Sequence, residues 1–213
     1  VGNAAGAQAL AGGNRITTMN SEITALAPRR QHIPGETGIW VFILGDMLVF
    51  ALFFAVYTFH FARDPAAFIG AQSNLNINYG LANTFLLLTS SWFVALAVDG
   101  VKKGLAKTPP VFFGLALACG FGFGVLKIIE YRAKIEAGFG LTSNDFFMYY
   151  FVLTGIHFAH VLIGMVLLVL LFRVAARGAS RPNDIALIEI GASYWHMVDL
   201  LWIVLFCLLY LLK

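Results

Sequence analysis

Five uninterrupted apolar runs, each long enough to cross a membrane as a helix, leave this 213-residue chain few ways to fold. A helix rises about 1.5 Å per residue, so about 20 apolar residues cover the roughly 30 Å of a bilayer's hydrocarbon. The first run extends from about Glu36 to His60 and is stopped by Arg63-Asp64-Pro65; an Asn-rich connection with Asn74, Asn76 and Asn78 follows. The second runs from Tyr79 to about Val101 and ends at Lys102, Lys103, Lys107 and the pair Pro109-Pro110. The third covers Pro110 to Glu130, with Arg132, Lys134 and Glu136 expected in the loop after it. A fourth, the longest, spans roughly Asn144 to Phe172, a length that implies tilt or a helical extension beyond the bilayer, and the fifth runs from about Ile185 to Leu212.

The pattern predicts an all-α integral membrane protein: a five-transmembrane-helix bundle forming one domain over residues 35–213. Residues 1–34 are Gly/Ala-rich and then polar, and read as a flexible cytoplasmic tail without a cleavable signal. Composition agrees, with 60% apolar residues against 12% charged, too few charges for the surface of a soluble domain of this length. A transmembrane barrel requires alternating segments of about ten residues, which these unbroken runs contradict. An odd number of spans without a strong internal repeat also disfavours an inverted-repeat transporter.

Basic residues set the orientation. Arg15, Arg29, Arg30, Lys102, Lys103, Lys107, Arg173, Arg177 and Arg181 fall on one side, against Arg63, Arg132, Lys134 and Lys213 on the other, with Lys127 just inside the third run. The excess places the N-terminus in the cytoplasm and the C-terminus outside. The two cysteines, Cys119 and Cys207, both lie in apolar runs and read as core thiols, so a disulfide framework, a zinc finger and an iron–sulfur site lack support. Nucleotide-binding loops, a Ser/His/Asp arrangement and a basic surface for nucleic acid are not found either.

The informative residues are polar groups at membrane depth. Asp46 lies about ten residues into the first run, where an isolated carboxylate costs several kcal/mol. It is expected to be protonated, paired or reached by water, which leaves open a proton-accessible or headgroup-contacting site and a buried interhelical hydrogen bond. Glu36 suits the positive end of the first helix. Lys127 and Glu130, three apart, can pair on one face close to the headgroups, with Tyr131 half wet beside them. His157 and His160 share a face of the fourth run, flanked by Gly155 and Gly164, which permit close helix approach. A metal there needs further ligands, for which His196 and Asp199 are candidates; the other reading is histidines hydrogen-bonded across helices. His196 and Asp199 are themselves three apart beside Trp195, so an imidazole donating to a carboxylate also fits. Trp40, Trp92, Trp195 and Trp202 read as packing or interfacial-belt residues.

These residues occur within GETGIWVFILGDMLVFALFF (35–54), NTFLLLTSSW (83–92), KIIEY (127–131), NDFFMYYFVLTGIHFAHVLIG (144–164) and YWHMVDLLWIVLFCLLYL (194–211), which together resemble the subunit III family of haem-copper oxidases. The resemblance covers nearly everything from Pro34 to Tyr210 and implies a subunit III fold in the five-helix form that lacks the usual first two helices. It implies a non-catalytic accessory subunit of a respiratory cytochrome c or quinol oxidase, with catalytic subunit I and subunit II as partners. Bound phospholipid is implied, and no haem, copper or other metal of its own. The bacterial inner membrane is the implied location. Asp46, Trp92, Glu130, His157, His160, His196 and Asp199 become lipid-binding or proton-access candidates.

Two positions depart from the family pattern. Gly45-Asp46 stands where a Ser-Glu pair is usual, one methylene shorter, and Lys127 replaces a glutamine. The opening motif and the five-helix length look most like members associated with nitric oxide reductases. A proton-coupled transporter using Asp46, His157 and His160 and an assembly factor are the alternatives from other classes.

Overall fold

The computed structural model describes residues 37–212 apart from 180. The expected 1–34 tail and Glu36 lie outside the described residues. Every regular element among them is helical: α1 (Thr37–Arg63), α2 (Pro65–Gln72), α3 (Ile77–Lys102), α4 (Thr108–Glu136), α5 (Asp145–Ala176) and α6 (Pro182–Phe206), which continues into a π-helical turn at Cys207–Leu211. All but α2 are long and apolar enough to cross a membrane.

Helix boundaries follow local chemistry. Proline opens α2 and α6 and lies in the first turn of α4, where the missing N–H costs no intrahelical bond. Asn144 caps α5 by accepting from the Phe147 N–H at 2.8 Å. Beyond α3 and α4 the chain turns through Gly104 (φ 72°) and Gly138 (φ 85°), left-handed conformations that a β-carbon would disfavour.

Three expectations change. The Asn-rich connection after the first span contains α2, opened by the Asp64 carboxylate accepting from the Ala67 N–H at 3.1 Å. Helix α4 runs six residues beyond Glu130, so Arg132, Lys134 and Glu136 are helical; charge ends the apolar run, but no helix breaker comes before Gly138. Cys207 is exposed on the bundle's outer surface and Cys119 only partly buried, so neither is a fully buried core thiol.

Helices α3, α4, α5 and α6 form a closed ring of four, each packed on its two neighbours, while α1 leans on α6 from outside and α2 packs on α5. The most enclosed helix is α6: 61% of its most apolar stretch is buried, against 17% for α1. Helix α1 is held by a narrow stripe, Ile43, Phe50 and Tyr57, one residue every second turn. Phe53, Phe54 and Phe61 pack partly against the core beside this stripe, while others, such as Phe42, Leu48 and Leu52, face outward as lipid-facing residues do. Near its end, the Tyr57 hydroxyl donates to the Leu208 carbonyl at 3.2 Å, tying α1 to the π-helical turn.

Small residues let the ring close. The Trp195 indole lies between Gly120 of α4 and Gly164 of α5, where a β-carbon would stand 3.1 Å and 2.7 Å from its ring atoms. Its Nε1–H donates to Ser90 Oγ at 3.1 Å, and Ser90 in turn donates to the Ala116 carbonyl at 2.8 Å. One side chain of α6 thereby touches α3, α4 and α5.

Candidate functional site

Three polar clusters lie within the spans. The first joins α1 to α5: His160 Nε2 stands 3.1 Å from Asp46 Oδ1, with the Phe50 ring edge-on to the imidazole at 5.3 Å. His160 Nδ1 lies 2.8 Å from the Ile156 carbonyl, which can only accept, so Nδ1 carries a hydrogen. Contact between Nε2 and a carboxyl oxygen then requires one more proton, on either the imidazole or the carboxyl. The hydrogen bond thus shares one proton between the imidazole and the carboxyl group. Asp46 Oδ2 is buried without a hydrogen-bond partner, which leaves one acceptor for water or a neighbouring chain.

The second cluster binds α4 to α5 and α6. Lys127 and Glu130 pair at 3.0 Å, as their spacing suggests, but with both side chains 1% exposed. This corrects the expected headgroup location: the pair is enclosed by the bundle. Lys127 Nζ also donates to the Tyr150 and Tyr210 hydroxyls at 3.2 and 3.4 Å, and Tyr210 donates to Glu130 Oε1 at 2.6 Å. The three ammonium protons have three acceptors, and both carboxylate oxygens are used. The rings of Tyr150, Trp202 and Tyr131 lie 4.8 to 5.3 Å from the ammonium, adding cation–π attraction in a dry site. Tyr131 is half-buried, and its hydroxyl shares a 2.6 Å hydrogen bond with Thr154.

The third lies between α3 and α6. His196 Nδ1 is 2.5 Å from Ser91 Oγ. A direct His196–Asp199 hydrogen bond, open from the sequence, does not form; the imidazole Nδ1 meets Ser91 of α3 instead. Asp199 is buried, and its Oδ1 has no hydrogen-bond partner.

The other candidates separate. His157 is fully buried, its two nitrogens without hydrogen-bond partners, its ring against Phe123 and Trp202 at 5.9 and 5.3 Å. It therefore does not share the polar environment of His160 despite their spacing. Trp92 is 61% exposed and stacks on Phe93, an outward position suited to lipid. Among the described residues no three His, Cys, Asp or Glu side chains converge. Tyr150, Tyr210 and Ser91 were not anticipated, because each acts on a residue of another helix and no spacing within one helix announces it.

A family model described as cytochrome c oxidase subunit III matches residues 30–213, which includes every helix carrying these clusters. The chain belongs to that family. Among its relatives, quinol oxidase subunit 3 of Bacillus subtilis is 30% identical over 82% of this chain and 85% of its own length. Cytochrome bo(3) ubiquinol oxidase subunit 3 of Pseudomonas aeruginosa is 30% identical over 82% and 83%. Cytochrome c oxidase subunit 3 of Thermostichus vulcanus is 31% identical over 92% and 97%. As subunit III family members go, this one is equally similar to chains named for quinol and for cytochrome c oxidases.

Proposed function

We propose that this chain is the non-catalytic, subunit III-type accessory subunit of a respiratory haem-copper oxidase, stabilising the catalytic subunit while other chains carry out the electron transfer. The observation that carries this reading is the family match across the whole membrane domain, joined to relatives named as third subunits of oxidases. Catalytic subunit I is the main partner and subunit II a second. The positive-inside excess supports a cytoplasmic N-terminus and an outer C-terminus in a bacterial inner membrane. Phospholipid is the expected bound molecule. An apolar groove of about 610 Å³ between α4 and α5, lined by residues such as Leu117, Phe121, Leu162 and Val166, supports acyl-chain contact on that face.

Purification through a tag on this chain in mild detergent tests the reading. The expected result is a stable complex whose haem resides in a co-purifying chain and which reduces oxygen with quinol or cytochrome c. Nitric oxide reduction by that complex would move the chain to a reductase. A colourless chain purified alone would favour transport or an assembly role.

The Asp46–His160 pair is the part of this reading open to a kinetic test. Asn at position 46 can still donate to His160 Nε2 but cannot exchange a proton. Asp46→Asn is expected to leave the subunits together and lower turnover several-fold, with a changed pH profile. Kinetics identical to the parent complex would reduce the pair to a packing contact.

A further inference from the structure

Helix α6 ends in a turn wound more widely than the helix before it. The Leu212 N–H donates to the Cys207 carbonyl at 2.9 Å, five residues back, where α-helical winding would bring it to Leu208. The Leu208 carbonyl instead accepts from the Tyr57 hydroxyl of α1 at 3.2 Å. The local sequence does not call for this winding. Cys207–Leu211 reads CLLYL, with three leucines, which favour the α-helix, and neither proline nor glycine. Contacts from other helices therefore hold it, and the Tyr57 hydroxyl is one of them.

The second contact is made by Tyr210, whose hydroxyl donates to Glu130 Oε1 at 2.6 Å and accepts from Lys127 Nζ at 3.4 Å in the sealed cluster. Its ring stacks on Phe206 at 5.5 Å and rests against Gly80 of α3, where a β-carbon would lie 3.0 Å from Tyr210 Cδ1. A π-turn holds one residue more than the α-turn it replaces. Rewinding it would rotate the chain beyond by about 100°, one residue's share of a 3.6-residue turn. Such a rotation takes the Leu208 carbonyl back to its own helix and carries the Tyr210 hydroxyl off Glu130. The contacts of Tyr57 and Tyr210 thus require the same winding, which makes the turn a two-state element biased from both ends.

We propose that the π-turn at Cys207–Leu211 is a latch that couples the docking of α1 to the closure of the Lys127–Glu130 site. With the Tyr57 hydroxyl on Leu208, the turn is held in its wide form and Tyr210 covers Glu130. With α1 displaced, the Leu212 amide returns to the Leu208 carbonyl, and Glu130 Oε1 loses its phenol donor. The coupling runs both ways: disturbing the sealed site loosens α1. Helix α1 is the span whose docking most needs such support, since only 17% of its most apolar stretch is buried and its fully buried stripe is Ile43, Phe50 and Tyr57. The latch stands whichever oxidase or reductase chain the subunit serves, because it uses only this chain's residues.

Fluorine NMR on the full chain, purified with whatever subunits accompany it, tests the latch. 3-Fluorotyrosine is placed at position 57 or at position 210, one per sample, and each reporter is expected to give one dominant resonance in the parent. Tyr57→Phe keeps the ring and removes only the hydroxyl. It is expected to shift the position-210 reporter toward a second resonance, changing the ratio of the two forms by about fivefold, what the loss of one hydrogen bond is worth. Tyr210→Phe is expected to do the same to the reporter at position 57. A reporter at position 194, where the tyrosine lies earlier on α6 and donates to the His160 carbonyl, is expected to stay unchanged in both variants. If neither variant moves the reporter at the other tyrosine, the two hydrogen bonds are independent and the latch is overturned. Movement of the position-194 reporter as well would mean general loosening of the bundle and would overturn it too. Should Tyr210→Phe prevent accumulation of the folded chain, the Tyr57→Phe arm decides alone, because it removes nothing from the sealed site.

Discussion

Glu130→Ala is expected to destabilise the bundle by about 3–5 kcal/mol, enough to prevent accumulation of the folded subunit, because it leaves the Lys127 ammonium buried without a counter-charge. The loss far exceeds that from removing a surface ion pair, for which about 0–1 kcal/mol is usual. Enclosure decides the difference: both side chains are 1% exposed, and the tyrosines around them offer hydrogen bonds but no negative charge. The pair as a whole need not be strongly stabilising. Desolvating two charges offsets most of their attraction, so removing both charges together is expected to be far milder. The double variant Lys127→Met with Glu130→Gln keeps an acceptor for the Tyr210 hydroxyl and should recover most of the stability lost in Glu130→Ala. Unfolding midpoints in detergent, followed by tryptophan fluorescence, measure both. Equal midpoints for Glu130→Ala and the double variant would show that an uncompensated charge is not the cause.

Gly164→Ala carries the second large effect. The new β-carbon would lie 2.7 Å from one Trp195 ring carbon and 2.8 Å from another, closer than real contacts allow. The indole cannot simply swing aside, because Nε1 is hydrogen-bonded to Ser90 and the far side of the ring meets Gly120. Overpacking of this kind costs about 1–3 kcal/mol. Trp195→Phe combined with Gly164→Ala removes the benzo ring that clashes and is expected to be more stable than the sum of the two single effects predicts. Gly191→Ala makes a useful contrast. Its nearest neighbour is the end of the flexible Leu171 side chain at 2.9 Å, which can rotate away. A Gly164→Ala variant that unfolds no earlier than Gly191→Ala would show that the Trp195 wedge yields easily.

The two effects differ in how readable they were beforehand. The spacing of Lys127 and Glu130 suggested the pair, since residues three apart on a helix are neighbours. The same spacing misled at His157 and His160, which α5 turns into different surroundings: one against Phe123 and Trp202, the other against Asp46 of α1. Periodicity within a helix reports which side chains are adjacent but not what the facing helix supplies. For that reason Ser91, hydrogen-bonded to His196, carried no signal in the sequence, nor did the phenols of Tyr150 and Tyr210. Asp46 was legible as a residue needing a partner, because an isolated carboxylate in hydrocarbon is costly; that the partner is His160 required the docking of α1.

The sequence by itself determined the five membrane-crossing helices and, through its motifs, the family, because unbroken apolar length leaves the backbone no alternative to internal hydrogen bonding in lipid. It also marked which polar residues stood at membrane depth. Only the tertiary structure decided that α3 to α6 close into a ring with α1 outside, that Lys127 and Glu130 are sealed in rather than interfacial, and that His196 meets Ser91 of α3. Those outcomes depend on which faces of different helices meet. In a membrane that choice rests on close steric fit and a few interhelical hydrogen bonds, interactions between residues far apart in the chain that no local pattern encodes.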